Sequence, residues 1–111
     1  MPQCPKRGDV VWLSFTPHIG HEQAGLRPAL TLSPEDYNRK TGLALFCPIT
    51  TKTKGYPFEV PLPEGLKVSG VVLSDQVKSL DWQARNARYF GKVPPGVVDE
   101  VAAKIDVLLN S

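Results

Sequence analysis

The side chains that could do chemistry gather in two short stretches and at one isolated aspartate. The first stretch, Thr16 to Arg27 (TPHIGHEQAGLR), holds both histidines, a glutamate and an arginine. His21 titrates near neutrality and can serve as acid, base or anion donor, or stand as an exposed loop histidine. Glu22 follows it as a second candidate base or a solvated carboxylate, and adjacency in a loop does not make the two face the same way. Arg27 presents a planar fork of donors that suits a phosphate or carboxylate, and the same fork serves a surface ion pair. Gly20 and Gly25 let this segment approach a ligand closely. The second stretch, Thr50-Thr51-Lys52-Thr53-Lys54-Gly55, is hydroxyl-rich and basic. Its threonines can donate to an anion or cap a turn. Asp75, after an apolar run, reads either as a turn former or as a buried carboxylate that orients or deprotonates a partner.

Metal chemistry finds little support. His18 and His21 resemble half a metal site, with no third ligand evident. Cys4 and Cys47 lack CxxC spacing and do not make a disulfide scaffold. Cys47 lies in the apolar run LALFC and is expected to be buried, Cys4 to be exposed. No cofactor and no metal are expected.

The 111 residues predict one domain, 1–111. Hydrophobic residues at 41% and charged residues at 22% fit a folded globule and exclude a disordered chain. No apolar run approaches the roughly 18 residues of a membrane span. The start, MPQCPKRGDVVWLSF, lacks the apolar segment of a signal peptide, so a cytoplasmic protein is expected. A net charge of +2 neither announces nor excludes a nucleic-acid binder. Its distribution is uneven: the first 56 residues carry seven Lys and Arg against four Asp and Glu, the remaining 55 six against seven. Lys78, Arg85 and Arg88 form a second basic group. Trp12, Tyr56, Phe58 and Trp82 could stack on unpaired bases, although Trp12, inside a strand, is assigned to the core.

The elements that must position these residues are short. VVWLSF, Val10 to Phe15, reads as a strand. The dozen residues to Arg27 lack periodicity and form a loop of the length that is usually functional or disordered. Pro28 opens a second strand to about Ser33. Ser33 reads as the cap of a short helix with Pro34 at its first position, Asp36 three residues past the cap, and Gly42 as its stop. Leu43 to Ile49 is a third strand, in which Pro48 demands an edge or bulge. Phe58 to Leu62 alternates as a fourth. Val71-Val72-Leu73 runs into Ser74-Asp75-Gln76, a polar interruption that suggests a bulge or a site. Ser79 to Phe90 suits helix and sheet equally. From Pro95 on, Val97, Val98, Val101, Ile105, Leu108 and Leu109 fall on one helical face. The expected architecture is mainly β with short helices, a small barrel or strongly bent sheet.

The stretches GDVVWLSFTPHIGHEQAGLRPALTLSP, CPITTKTKGYPFEV and GVVLSDQVKSLDWQARNARYFGKV, with the closing helix, resemble the MazF/PemK toxins of bacterial toxin–antitoxin pairs. GHEQAGLRPAL is the most specific piece, and the resemblance covers nearly the whole chain. It implies a small SH3-like barrel with added helices. It also implies a homodimeric, sequence-specific, metal-independent endoribonuclease of single-stranded mRNA, blocked by a MazE-like antitoxin. In the MazF-like branch the important loop Glu and Arg match Glu22 and Arg27, and the threonine ending the third strand matches Thr50. In the PemK-like branch a histidine, an arginine and an aspartate act together. The histidine and aspartate match His21 and Asp75, but the arginine falls on Leu73, so that scheme does not transfer intact. The family's frequent DP dipeptide is Thr16-Pro17 here.

The resemblance further implies transesterification by the RNA's own 2′-hydroxyl, with Arg27 and Thr50 on the charged phosphorane and His21 or Glu22 as base. Lys52, Thr53, Lys54, Gln76 and Lys78 are the expected RNA contacts in the flanking loops. Two other classes compete: a non-catalytic small barrel that binds nucleic acid or peptide, which leaves RNA intact, and a metal nuclease, which a chelator silences.

Overall fold

The computed structural model describes residues 3–15 and 25–111. Its elements are β1 (Asp9–Ser14), β2 (Leu26–Thr31), α1 (Glu35–Thr41), β3 (Leu43–Thr50), β4 (Glu59–Pro61), β5 (Val71–Leu73), a 3-10 turn (Ser74–Gln76), β6 (Lys78–Asp81), β7 (Arg88–Lys92) and α2 (Pro95–Asn110). The strands pair antiparallel in the order β4-β5-β3-β2-β1-β7, with β6 beside the first half of β3.

This sheet is open, which corrects the expected SH3-like barrel: the fold is mixed α/β. The strand order ends on β4 and β7, and these two do not pair. Two features oppose closure. β4 has only three residues and ends on Pro61, which has no N–H to donate. The adjoining face is taken by α2, a helix of 16 residues that lays Val97, Val98 and Val101 into a cluster with Val60, Val68 and Val72.

Residue parity assigns the strands' side chains to two cores, as the pleat requires. Val10, Leu30, Cys47 and Ile49 join the cluster beneath α2. Val11, Leu13, Phe15, Ala29, Ala44 and Phe46 pack with Leu80, Trp82 and Ala87 on the other side. Cys47 is fully buried as expected. Cys4 departs from expectation: it is half-buried, packs on the second cluster and directs its Sγ at the Glu35 carbonyl, 3.8 Å away. Trp12 also departs, since it is half-exposed near the sheet's edge and tilts against Phe90 with ring centroids 5.1 Å apart.

Ser33 does not cap α1. Pro34 occupies the cap position, with no side-chain cap bond. The Ser33 hydroxyl instead donates to Asn38 Oδ1 at 2.5 Å and accepts from the Leu45 amide at 2.9 Å. Asn38 is fully buried and donates through Nδ2 to the carbonyls of Pro5 and Ser33. Its own carbonyl accepts from Trp82 Nε1 at 2.9 Å. One residue, through its side-chain amide and its backbone carbonyl, thus ties together the N-terminal segment, α1, β3 and the chain after β6. The ambiguous stretch from Ser79 resolves as β6, a turn and β7.

Gly70 decides where β3 can end. Its φ is +114°, and a Cβ there would lie 2.2 Å from the Thr50 carbonyl oxygen. Gly65 shares the left-handed backbone (φ +89°) but faces open space. Gly70→Ala should therefore cost about 3 kcal/mol in urea unfolding, the sum of backbone strain and overpacking. Gly65→Ala should cost about 1 kcal/mol from strain alone. Equal losses at the two positions would show that the close approach to Thr50 carries no weight.

Candidate functional site

Thr50 is the last residue of β3 and is only 6% exposed. Its Oγ1 accepts the Lys52 amide at 3.1 Å, so the hydroxyl proton is directed elsewhere. It lines a recess of about 270 Å³ together with Lys52, Lys54, Tyr56, Glu59, Leu73, Asp75 and Gln76. The structure thus brings together Thr50, Lys52, Lys54, Asp75 and Gln76 from the sequence reading. Two expected RNA contacts are not part of this lining. Thr53 spends its hydroxyl on Glu59, and Lys78 is half-buried at the start of β6, paired with Phe46.

Arg27 lies within β2, not at the end of the loop expected from the sequence. The β2–β3 register pairs Ala29 with Pro48. The ladder stops there: Arg27 lies two residues before Ala29 and Thr50 two residues after Pro48, at the same rim of adjacent strands, and Arg27 is not among the residues that line the recess. Arg27 is half-buried, which suits a guanidinium held in one place. Asp75 is exposed on the 3-10 turn, so its reading as a buried carboxylate does not stand. His18, His21 and Glu22 lie outside the described residues. Among the described residues no group of three His, Cys, Asp or Glu side chains could hold a metal ion.

The loop of the recess is built by a residue that the sequence reading left unmarked. The Glu59 carboxylate accepts from the Thr53 hydroxyl at 2.8 Å and from the amides of Lys54 and Gly55, each at 3.0 Å. The Glu59 amide donates back to the Tyr56 carbonyl. Lys104 of α2 reaches over to the Pro57 carbonyl, and the Ser74 amide donates to Phe58. The loop therefore presents Lys52 and Lys54 from a fixed frame, with Lys54 Nζ 5.9 Å from the centre of the Tyr56 ring. The available signal for Glu59 was a lone carboxylate three residues past a Lys-Gly-Tyr turn, alternating outward in FEVPL.

Cys47, behind the recess, takes no part in the chemistry. Burial, with a smaller push from the Asp75 charge, raises its thiol to about 12. The group stays protonated and unreactive at neutral pH.

Comparison with known proteins agrees with this geometry. Residues 6–109 match the family described as the PemK-like, MazF-like toxin of type II toxin–antitoxin systems. The chain is 52% identical over 106 residues to the endoribonuclease toxin MazF of Escherichia coli (strain K12), covering 96% of this chain and 95% of that protein. The crystal structure of MazF from Deinococcus radiodurans superposes with a TM-score of 0.94 at 53% identity, covering 98% of this chain and 99% of that one. MazF in a MazE–MazF complex from the same organism superposes at 0.87 with 54% identity, over 96% of each chain.

The Glu59 clip makes a testable statement about acid. Hydrogen bonds from the Lys54 amide, the Thr53 hydroxyl and the neighbouring amides favour the ionised form and hold its pKa below the usual carboxylate value. A lowered folded pKa means that the clip's contribution is complete above the unfolded value and is lost as pH falls through the folded one. In an acid titration followed by NMR, the Lys54 and Gly55 amides should keep their shifts through the ordinary glutamate range near about 4.3. They should move only below it. A midpoint at the ordinary value would remove the clip as the frame of the loop.

Proposed function

The chain belongs to the PemK-like, MazF-like toxins of type II toxin–antitoxin systems, and from that premise we propose that Arg27 and Thr50 form the reaction centre of its ribonuclease activity. The protein is an endoribonuclease toxin that cuts single-stranded mRNA at specific sequences and so halts translation and growth. Its place of action is the bacterial cytoplasm. Residues 1–111 act as a single catalytic domain in a homodimer.

The observation that supports this reading is that Arg27, near the start of β2, and Thr50, at the end of β3, belong to adjacent antiparallel strands at one rim, where Thr50 lines a recess that also holds Lys52 and Lys54. In the proposed reaction the RNA's 2′-hydroxyl loses its proton and attacks the adjacent phosphorus in line. The bond to the 5′-oxygen breaks, that oxygen takes a proton from solvent water while the base returns its own to the hydroxide so formed, and the products carry a 2′,3′-cyclic phosphate and a 5′-hydroxyl. Negative charge develops on the non-bridging oxygens. The Arg27 fork and the Thr50 hydroxyl, one of whose lone pairs is already used by the Lys52 amide, donate to those oxygens. His21 or Glu22 takes the 2′-hydroxyl proton. Lys52 and Lys54 hold flanking phosphates, while Asp75 and Gln76 face base edges from the 3-10 turn. The nucleophile belongs to the substrate and the charge is met by side chains, so the reaction as written uses no metal. An acidic segment of a MazE-like antitoxin laid over Lys52 and Lys54 would exclude RNA from the same recess.

Purified protein in excess EDTA should cut a long unstructured RNA into discrete fragments with 5′-hydroxyl and 2′,3′-cyclic phosphate ends. Arg27→Ala should lose at least about 10²-fold in rate while unfolding in urea like the parent. Thr50→Val should lose about 10²-fold, and Thr50→Ser should retain most activity. Cleavage that needs added magnesium would select a metal nuclease, and RNA bound but left intact would select a binding module. Near-normal cutting by Arg27→Ala would displace that residue from the centre.

A further inference from the structure

A second recess, of about 410 Å³, lies away from Thr50 and is lined by Trp12, Ser14, Leu26, Arg85, Asn86 and Arg88. Its walls combine a flat aromatic ring and an exposed leucine with two guanidinium groups. Trp12 and Arg88 are direct partners in the β1–β7 ladder, and Ser14 and Leu26 are partners in the β1–β2 ladder. Phe90 backs the Trp12 ring, which is left half-exposed toward the recess.

The recess is built rather than incidental. Arg85 Nη1 donates to the Ser14 carbonyl at 2.9 Å, which holds its guanidinium beside the end of β1. Arg85 reaches that position from a tight turn stitched by Ala84 to Asp81 Oδ1, Arg85 to the Asp81 carbonyl and Ala87 to the Trp82 carbonyl. Asn86 closes the turn in the left-handed region, at φ +55°, the one described non-glycine residue to do so. A strained turn that fixes an arginine next to a half-exposed tryptophan is what a stacking site with a phosphate partner requires.

Position along the sheet connects this recess to the first. The end of β1, the start of β2, the end of β3 and the start of β7 share one rim. From β1 to β3 is two strand spacings, about 10 Å. A single strand of RNA crossing that rim passes both recesses within a few nucleotides.

We propose that the Trp12–Arg88 recess is a nucleobase subsite of the same RNA path, in which one unpaired base stacks on Trp12 and a neighbouring phosphate meets Arg85 and Arg88. The subsite rests on the ribonuclease reading and extends it: it selects substrate at a nucleotide remote from the bond that breaks. Stacking accepts any base, so the subsite contributes affinity and register more than base identity.

The test uses one unstructured oligonucleotide, chosen to span a cut site where cleavage maps one, with 2′-deoxyribose throughout for binding and an all-ribose version for cleavage. Trp12→Ala and Arg88→Ala should each weaken binding about tenfold, with Trp12→Phe restoring most of it. In cleavage the loss should appear in KM, with kcat kept within about twofold. A walk of single abasic nucleotides should find one position at which the parent binds as weakly as Trp12→Ala, and at which that substitution has no further effect. Parent-like binding by both alanine variants, or no abasic position coupled to Trp12, overturns the subsite while the ribonuclease stands. A parent protein that shows the coupling but cuts nothing keeps the subsite and removes the ribonuclease reading. Unchanged RNA affinity alongside lost binding of an acidic antitoxin peptide assigns the recess to protein and also overturns the proposal. Thermal melts of each variant separate these results from misfolding, and an effect seen in Trp12→Ala but absent from the exposed Arg88→Ala counts against the subsite.

Discussion

Everything at the candidate centre follows from β3 having to serve two neighbours along one edge. Its residues Leu43 to Phe46 pair with β6, and Ile49 and Thr50 pair with β5. Between them lie Cys47 and Pro48, and Pro48 has no N–H with which to continue a ladder. The opposing chain answers by breaking. β5 and β6 read as one strand interrupted by the 3-10 turn Ser74–Gln76, and the two registers against β3 differ by three residues, the length of that turn. The turn lifts Asp75 and Gln76 off the sheet beside Thr50. A missing backbone donor in one strand thus becomes a polar projection in the next, at the place where the recess forms.

Around that break the chain uses polar residues as fixed connectors. Asn38 satisfies carbonyls from two separate segments and anchors Trp82, holding the far end of β3 in place. Glu59 does the equivalent at the near end, gathering two amides and a hydroxyl that would otherwise leave the basic loop unordered. A carboxylate inside a recess meant for phosphate works against the ligand by simple Coulomb repulsion. Its retention is understandable when its oxygens are committed to backbone donors, since the loop's lysines then need no reorganisation when RNA arrives. Gly70 completes the frame by allowing the chain to pass against the Thr50 carbonyl.

How much of this was legible depends on how local its cause is. Strands whose apolar positions alternate, and the helix from Pro95, follow directly from periodicity. The polar interruption at Ser74-Asp75-Gln76 and the difficulty at Pro48 were both readable, but that they face one another was not, because register is a long-range property. Ser33 looked like a helix cap since its neighbours fit that pattern, yet a partner five residues on and an amide twelve residues away took its hydroxyl. Trp12 looked like core because strand aromatics usually are, yet its ring tilts against Phe90 and is left half-exposed. Closure of the sheet was the largest misreading. Short strands suggest a barrel, but α2 covers one face and Pro61 ends an edge strand, and neither effect is visible until the elements are assembled.

The placement of Arg27 has a consequence for how such a centre can vary. The sequence alone reads it as the last residue of a loop. Inside β2 it is held by the ladder to Leu13, and Thr50 ends the adjacent strand β3 at the same rim of the sheet. The groups proposed to meet phosphorane charge therefore sit on strands, where pre-organisation is strongest. The candidate proton carriers, His21 and Glu22, belong to the segment between β1 and β2. Charge stabilisation depends steeply on fixed geometry, whereas a proton can be taken from more than one direction. A centre built this way tolerates a change of its base more readily than a change in the pair that meets the charge. Lysine at position 27 would not be equivalent, because a single ammonium cannot span two phosphorane oxygens from a strand position as a planar fork does.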